Sequence, residues 1–370
     1  MVTLENASIN VALCIRADAE STPGGDWLQL QKTANTLEAL GVNTQVCVGR
    51  VPEHPVDLVH AFNLTRLSNT YMVARWCQQN DVPLAISPIW HSVTDMGLFY
   101  AQHFRHWPGQ CFPVPAYLAL KELLYERGHW NRYVWTAALR WRMTQKKTVQ
   151  QAAVLLPNSP EEGQTLEQDL AVNAKVTHVI PNAVDRAHCH AEQSPKEKLI
   201  VCPGRLEPRK NQQRVVEAFL ASKALQEYDL LLLGALNQRH AAYQDRFLTL
   251  VNTHDRLRWV DHVSFEEAQR IYARSALVVL ASHFETTGLV GLEGLYQGTP
   301  VVMTERCYTD YYYGDRVTYC DPYQVASIQQ AMEQAIERPF LRPDSNYFEH
   351  FSWDNVGRMT LSAYQQVLHS

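Results

Sequence analysis

The chain has 370 residues, more than one hydrophobic core usually serves, so two domains are expected. A composition of 46% hydrophobic and 19% charged residues is globular and excludes a disordered chain. Lys plus Arg number 33 against 38 for Asp plus Glu, and the formal charge of -5 carries no basic excess that would advertise nucleic acid.

The N-terminal residues have neither a basic lead nor a long apolar core and do not read as a signal peptide. The apolar runs at 230–233 and 277–281 are too short to span a bilayer, so a cytoplasmic protein is expected. The 8 cysteines form no CxxC pair and read as small buried residues in a reducing compartment, ahead of zinc ligands or disulfides.

In chain order, Ile9, Val11, Leu13 and Ile15 alternate as a strand, and Ser21-Thr22-Pro23-Gly24-Gly25 then breaks the chain. A helix follows with Leu30, Ala34, Leu37 and Leu40 on one face, stopped by Gly41. Further strands are predicted at 44–48, 57–62 and 83–87, and helix-length connections between them point to a parallel sheet. From 89 to 150 the strands give way to a helical insertion with Trp90, Trp107, Trp130, Trp135 and Trp141. There Lys121, Arg127, Arg132, Arg140, Arg142, Lys146 and Lys147 face only Glu122 and Glu126. A basic, aromatic stretch over 121–147 suits a membrane surface or an anionic acceptor, and it also suits a helical cap with snorkelling side chains.

The strand beat returns at 153–156, 176–180, 198–202, 229–233, 257–260, 276–281 and 300–303. A helix from about Asn211 turns Val215, Val216, Phe219 and Leu220 inward, and Ser264-x-x-Glu267 reads as a capping box. The expected domains are 1–170 and 171–350, with a C-terminal helix over 351–370 that can pack back on the first. The fold class is α/β, two Rossmann-like parallel-sheet domains facing across a cleft whose ligands meet the carboxyl ends of the strands.

Three loops after strands carry the chemistry. In Pro203-Gly204-Arg205-Leu206-Glu207-Pro208-Arg209-Lys210-Asn211, Arg205 and Lys210 sit beside a helix start, where cations and helix dipole act together on an anion such as phosphate. In 281–293 a buried strand delivers Glu285 to a loop, a helix begins near Gly288, and Glu293 follows. If all of 285–293 were helical, the two carboxylates would stand about 12 Å apart, the reach from a sugar across a diphosphate to a ribose. The N–H groups of Gly288, Leu289 and Val290 would then cradle phosphate oxygens. The third loop, Ile180-Pro181-Asn182-Ala183-Val184-Asp185, closes a strand.

Taken together, PNAVD, PGRLEPRKN and SHFETTGLVGLEGLYQGTPVV resemble the retaining glycosyltransferases of family 4, which have the GT-B architecture. The likeness is strong over 153–303 and looser over the first 90 residues. It implies that Arg205 and Lys210 hold the donor diphosphate, that Glu293 holds the ribose, and that Glu285 contacts the transferred sugar. It assigns Thr287, Gly288, Leu289 and Val290 to the donor, Gly24-Gly25 to a loop beneath the phosphates and acceptor, and His91 to the sugar. It also puts Val263 near the nucleotide base. Ala183 stands where the family often has Gly, and 304–311 lacks the usual Gly-Gly before a Glu.

The expected reaction moves a hexose from a UDP- or GDP-sugar to a hydroxyl of a glycan or lipid-linked acceptor with retention, without cofactor or metal. A nucleotide-sugar epimerase of the same architecture and a non-catalytic carbohydrate-binding protein are the alternatives. The surroundings expected are the cytoplasm, including the inner membrane face.

Overall fold

Residues 10–15 bury almost every side chain, as a strand covered on both faces must, and they form β1 (Asn10–Ile15). The computed structural model of the protein describes residues 9–103, 114–125, 131–186, 195–236, 241–306 and 308–370. The chain divides into one unit of 1–182 with 353–370 and a second of 183–352.

In the first unit β1 is joined by β2 (Asn43–Val48), β3 (Leu58–Phe62), β4 (Leu84–Ser87) and β5 (Val154–Leu155) in a parallel sheet of order β2-β1-β3-β4-β5. The helix Gly25–Ala39 buries Leu30, Ala34 and Leu37, the stripe that the sequence predicts apart from the exposed Leu40. The predicted boundary at 170 is corrected to 182. Instead of opening the second sheet, residues 176–180 hydrogen-bond to the end of β5, through Leu155 N to Val176 O at 2.9 Å and His178 N to Leu155 O at 2.9 Å. That pairing is a single bridge, so 176–180 is also not the strand expected.

The C-terminal helix Trp353–Leu368 belongs to this unit. Gly357 comes so close to Thr36 that an added Cβ would stand 2.8 Å from the Thr36 Cβ. Further along, the Tyr364 hydroxyl meets Nδ1 of buried His60 at 2.7 Å. Burial pushes the His60 imidazole down to about 3, so it is neutral.

The insertion holds the helices Val93–His103, Val114–Tyr125, Arg132–Leu139 and Trp141–Gln151. Trp90 and Trp141 are buried and Trp135 is exposed, whereas Trp107, Trp130, Glu126 and Arg127 lie outside the described residues. Glu122 is buried and paired with Arg66 at 3.3 Å, so it does not dilute the surface charge. Cys14, Cys47, Cys77, Cys202 and Cys320 are free and buried; the other three cysteines lie outside the described residues.

The second unit is a parallel sheet of β6 (Leu199–Pro203), β7 (Asp229–Leu233), β8 (Leu257–Val260), β9 (Leu277–Leu280), β10 (Val301–Thr304) and β11 (Thr318–Cys320). Its order is β11-β10-β9-β6-β7-β8. The sequence does not announce β11, because three residues with only Cys320 fully buried leave no apolar rhythm. Alternate residues of β6 face opposite layers. Ile200 and Cys202 pack with Val215, Val216 and Phe219, while Val201 packs with Ile271, Leu292 and Leu295.

Candidate active site

In the second sheet β6 lies between β7 and β9, so the chain winds outward in both directions from the β6–β9 pair. At such a switch point the loops leaving the two strands diverge and open a crevice at their carboxyl ends. The loops leaving β6 and β9 are 204–211, which carries Arg205, Glu207, Arg209 and Lys210, and 281–288, which carries Glu285.

A short 3-10 turn at Pro208–Lys210 leads into Asn211, which has a left-handed φ of 60° and precedes the helix Gln212–Ala221. The Asn211 amide donates to Ala281 O and Pro322 O, both at 2.8 Å, tying the first loop to the second. His283 N adds a bond to Arg209 O at 2.9 Å. Through these ties Lys210 Nζ reaches Glu285 Oε1 at 2.5 Å, and Arg209 Nη1 stands 3.6 Å from Glu285 Oε2. Glu285 is only 6% exposed. Burial opposes its ionisation, but Lys210 and Arg209 outweigh it and hold the carboxyl down at about 2.

Arg205 does not join this pair. Its guanidinium is 3.9 Å from Glu207 and 39% exposed at the side chain. The cation beside Lys210 is instead Arg209, which sequence reasoning passed over although it adjoins Lys210.

Gly288 caps the helix Leu289–Tyr296 at φ 66°, a left-handed conformation that glycine adopts without strain. The helix thus starts after Gly288, and the 12 Å span drawn over 285–293 does not apply, because the first part of that stretch is a loop. Leu289 and Val290 are its first residues, so their N–H groups have no intrahelical partner. The Tyr313 hydroxyl donates to Gly288 O at 2.7 Å and Thr287 O at 3.1 Å. Buried Tyr313, just past the 304–311 stretch that departs from the family pattern, therefore braces the loop. Gly291 is forced by the same packing: an added Cβ would stand 2.4 Å from Met303 Cε and 2.8 Å from the Tyr313 hydroxyl.

Glu293 lies within that helix, partly buried. Burial, reinforced by Asp185, raises its carboxyl to about 7 against the effect of the Gln269 amide. Its surroundings are thus distinct from those of Glu285. Val263 follows β8 and packs, partly buried, against the layer containing Ile271 and Leu292.

The remaining predicted residues are in the first unit. Gly24 precedes the helix Gly25–Ala39 in extended backbone, and a Cβ there would stand 2.9 Å from Asp26 Oδ1, whereas at Gly25 it would meet nothing within 4 Å. Beneath this turn is a buried charge network that the sequence does not reveal. Arg16 grips Asp26 through two bonds of 2.7 and 3.0 Å and Asp18 at 2.7 Å, and Asn63 donates to Asp26 at 3.1 Å. These residues are scattered between 16 and 63, and only the β1–β3 adjacency gathers them. His91 follows β4 in the loop before the helix Val93–His103. Among the described residues no group of three or more His, Cys, Asp or Glu could hold a metal ion. No described helix is long and apolar enough to cross a membrane.

The fold is GT-B, two parallel-sheet units with flanking helices, and solved structures of glycosyltransferases share it over nearly the whole chain. Sucrose-phosphate synthase from Thermosynechococcus elongatus aligns with a TM-score of 0.72 at 16% identity, covering 98% of this chain and 99% of that one. HepE from Anabaena, in complex with UDP, aligns with a TM-score of 0.67 at 15% identity, covering 97% and 100%. The profile of the family described as Glycosyl transferases group 1 matches residues 186–349, within the second unit.

Among curated relatives, O-antigen chain mannosyltransferase B of Escherichia coli is 27% identical over 173 residues, 44% of each chain. O-antigen chain mannosyltransferase RfbU of Salmonella typhimurium is 21% identical over 222 residues, 59% of this chain and 61% of that protein. The matched stretch thus spans about half the length of these relatives.

Proposed function

We propose that the protein is a retaining glycosyltransferase. It moves a hexose from a UDP- or GDP-sugar to a hydroxyl of a glycan or lipid-linked acceptor in cell-surface polysaccharide or glycolipid synthesis. The observation that carries this reading is the Lys210–Glu285 contact at 2.5 Å at the β6–β9 switch point, beside Arg209 and a helix start. The O-antigen mannosyltransferases among its relatives favour mannose as the hexose.

Cleavage of the bond from the anomeric carbon to the phosphate oxygen leaves negative charge on the diphosphate and positive character on the sugar. Lys210 has three N–H donors, so it holds Glu285 and a phosphate oxygen at once. Arg205 and the N–H groups at Gly288, Leu289 and Val290 stabilise the same charge, a role that a metal fills elsewhere. Thr287 lies in the same donor loop. Glu285 accepts hydrogen bonds from sugar hydroxyls, Glu293 takes the ribose diol, Val263 lies by the base, and His91 serves the transferred sugar. The Gly24-Gly25 turn gives the acceptor and phosphates room. As the acceptor oxygen bonds to the anomeric carbon, its proton passes to the departing phosphate oxygen on the same face, so configuration is retained.

The insertion supports work at the cytoplasmic membrane face. Leu120 and Leu124 on one helix, Trp135 and Leu139 on the next, and Met143 are exposed, and Arg140 and Lys147 are exposed nearby. Apolar side chains ringed by cations suit a surface of anionic lipid. Co-sedimentation with anionic but not neutral vesicles, weakened in Leu139→Glu, tests this contact over 121–147.

The decisive assay incubates the protein with UDP- and GDP-hexoses and lipid-linked oligosaccharides, reading products by mass spectrometry and anomeric configuration by NMR. Retained-anomer product supports the proposal and an inverted anomer refutes it. Isomerised donor without acceptor identifies an epimerase, and donor binding without turnover identifies a binding protein.

A further inference from the structure

The loop between β4 and the helix Val93–His103 is held in a costly shape. Ile89 adopts φ 47°, a left-handed conformation in which a β-branched side chain crowds its own backbone. Such strain persists only where surrounding contacts impose it, and it gathers at sites where geometry matters. Here Leu64 N donates to Pro88 O at 2.8 Å on one side of Ile89, and two side chains of the helix Pro160–Leu170 hold the other.

Glu162, fully buried, accepts from Trp90 N through Oε1 at 2.7 Å and from Asn158 N through Oε2 at 2.8 Å. Seven residues on, and so on the same helix face, Asp169 Oδ2 accepts from the Trp90 indole at 2.9 Å and from Val93 N at 3.1 Å. The two carboxylates thereby grip the backbone and ring of Trp90 and the start of the next helix, bracketing His91 on both sides. Arg142 donates to Asp169 O and fixes the end of the gripping helix.

A buried carboxylate with no cationic partner in contact is expensive, and an apolar residue would seal the same space more cheaply. Among the described residues no cation contacts Glu162. What its two lone-pair faces supply, and a hydrocarbon cannot, is a fixed direction for the Trp90 N–H next to a strained Ile89.

We propose that Glu162 and Asp169 are positioning residues that hold His91 in its working orientation. This rests on the reading of His91 as a residue serving the transferred sugar. Neither carboxylate touches substrate; both act through the 88–93 backbone.

The test combines a spectrum and a kinetic cycle on the full chain. The His91 ring signal in 1H–13C NMR is assigned by its loss in His91→Ala. In Glu162→Gln, which keeps the shape but offers one acceptor for two N–H donors, that signal is expected to shift and broaden while the other histidine signals hold. In turnover with the hexose donor found active, Glu162→Gln lowers kcat about 10-fold to 100-fold and leaves donor KM within about two-fold. His91→Ala combined with Glu162→Gln is no slower than His91→Ala alone. Asp169→Asn, at a half-buried site, gives a smaller loss in the same direction and serves if Glu162→Gln fails to fold.

An unmoved His91 signal overturns the positioning proposal, as does a Glu162→Gln loss that multiplies with that of His91→Ala. Full activity of His91→Ala removes the assignment of His91, and the proposal with it. A moved signal with no hexosyl transfer from any donor leaves the positioning intact and refutes the transferase reading instead.

Discussion

Replacing Lys210 by Ala removes the cation 2.5 Å from Glu285 and leaves Arg209, 3.6 Å away, as its cationic partner. The carboxyl is held at about 2 rather than near its ordinary value of 4.5, which corresponds to about 3 kcal/mol in favour of the ionised form. Arg209 retains part of that, and the Lys210 side chain is 18% exposed, so the folding cost is expected at about 2 kcal/mol. Lys210→Met with Glu285→Gln leaves no buried charge unpaired and should recover most of the loss. Activity should behave otherwise. A cation opposite charge that develops only in the transition state is worth roughly 10²-fold to 10³-fold in kcat, and the double variant recovers none of it. Urea denaturation followed by tryptophan fluorescence, with hexosyl transfer measured in parallel, separates the two effects. Lys210→Ala with wild-type stability and turnover would refute the reasoning, and so would a double variant no more stable than the single one.

Gly291→Ala forces a methyl toward Met303 and the Tyr313 hydroxyl, and overpacking of this kind costs about 1–3 kcal/mol; an unchanged melting temperature would contradict the geometry. Burial raises Glu162 to about 7, so the folded chain holds a proton that the unfolded chain releases near pH 4.5. Stability should therefore fall as pH rises from about 4.5 to about 7 and level off above, by on the order of 2–3 kcal/mol from this group, with Glu293 adding in the same direction. Glu162→Gln removes its share of that slope, which denaturation at pH 5, 6, 7 and 8 measures; a slope identical to wild type would count against it. Tyr364→Phe strips the partner from His60 Nδ1 and should cost about 1–2 kcal/mol, read as a lower denaturation midpoint.

The sequence alone carried the two-unit parallel α/β organisation, because strands buried on both faces must be continuous apolar runs and their helical connections must bury one stripe. It also carried the helix starts at Ser264 and Gly288, where a side-chain cap and a left-handed backbone each need a particular residue; Ser264 Oγ accepts from Glu267 N at 3.2 Å as the capping box requires. It did not show that 176–180 pairs with β5, since a short run is equally apolar in either sheet. Nor did it show that Arg209 rather than Arg205 stands by Glu285, because a 3-10 turn and the left-handed Asn211 decide which side chain points across.

Charge spacing within one loop is local and legible. The Arg16–Asp26 clasp, the Tyr313 brace and the Glu162–Asp169 grip join residues between 10 and 79 positions apart in the chain. Only the order in which parallel strands lie side by side brings such pairs together, and that order was settled by packing.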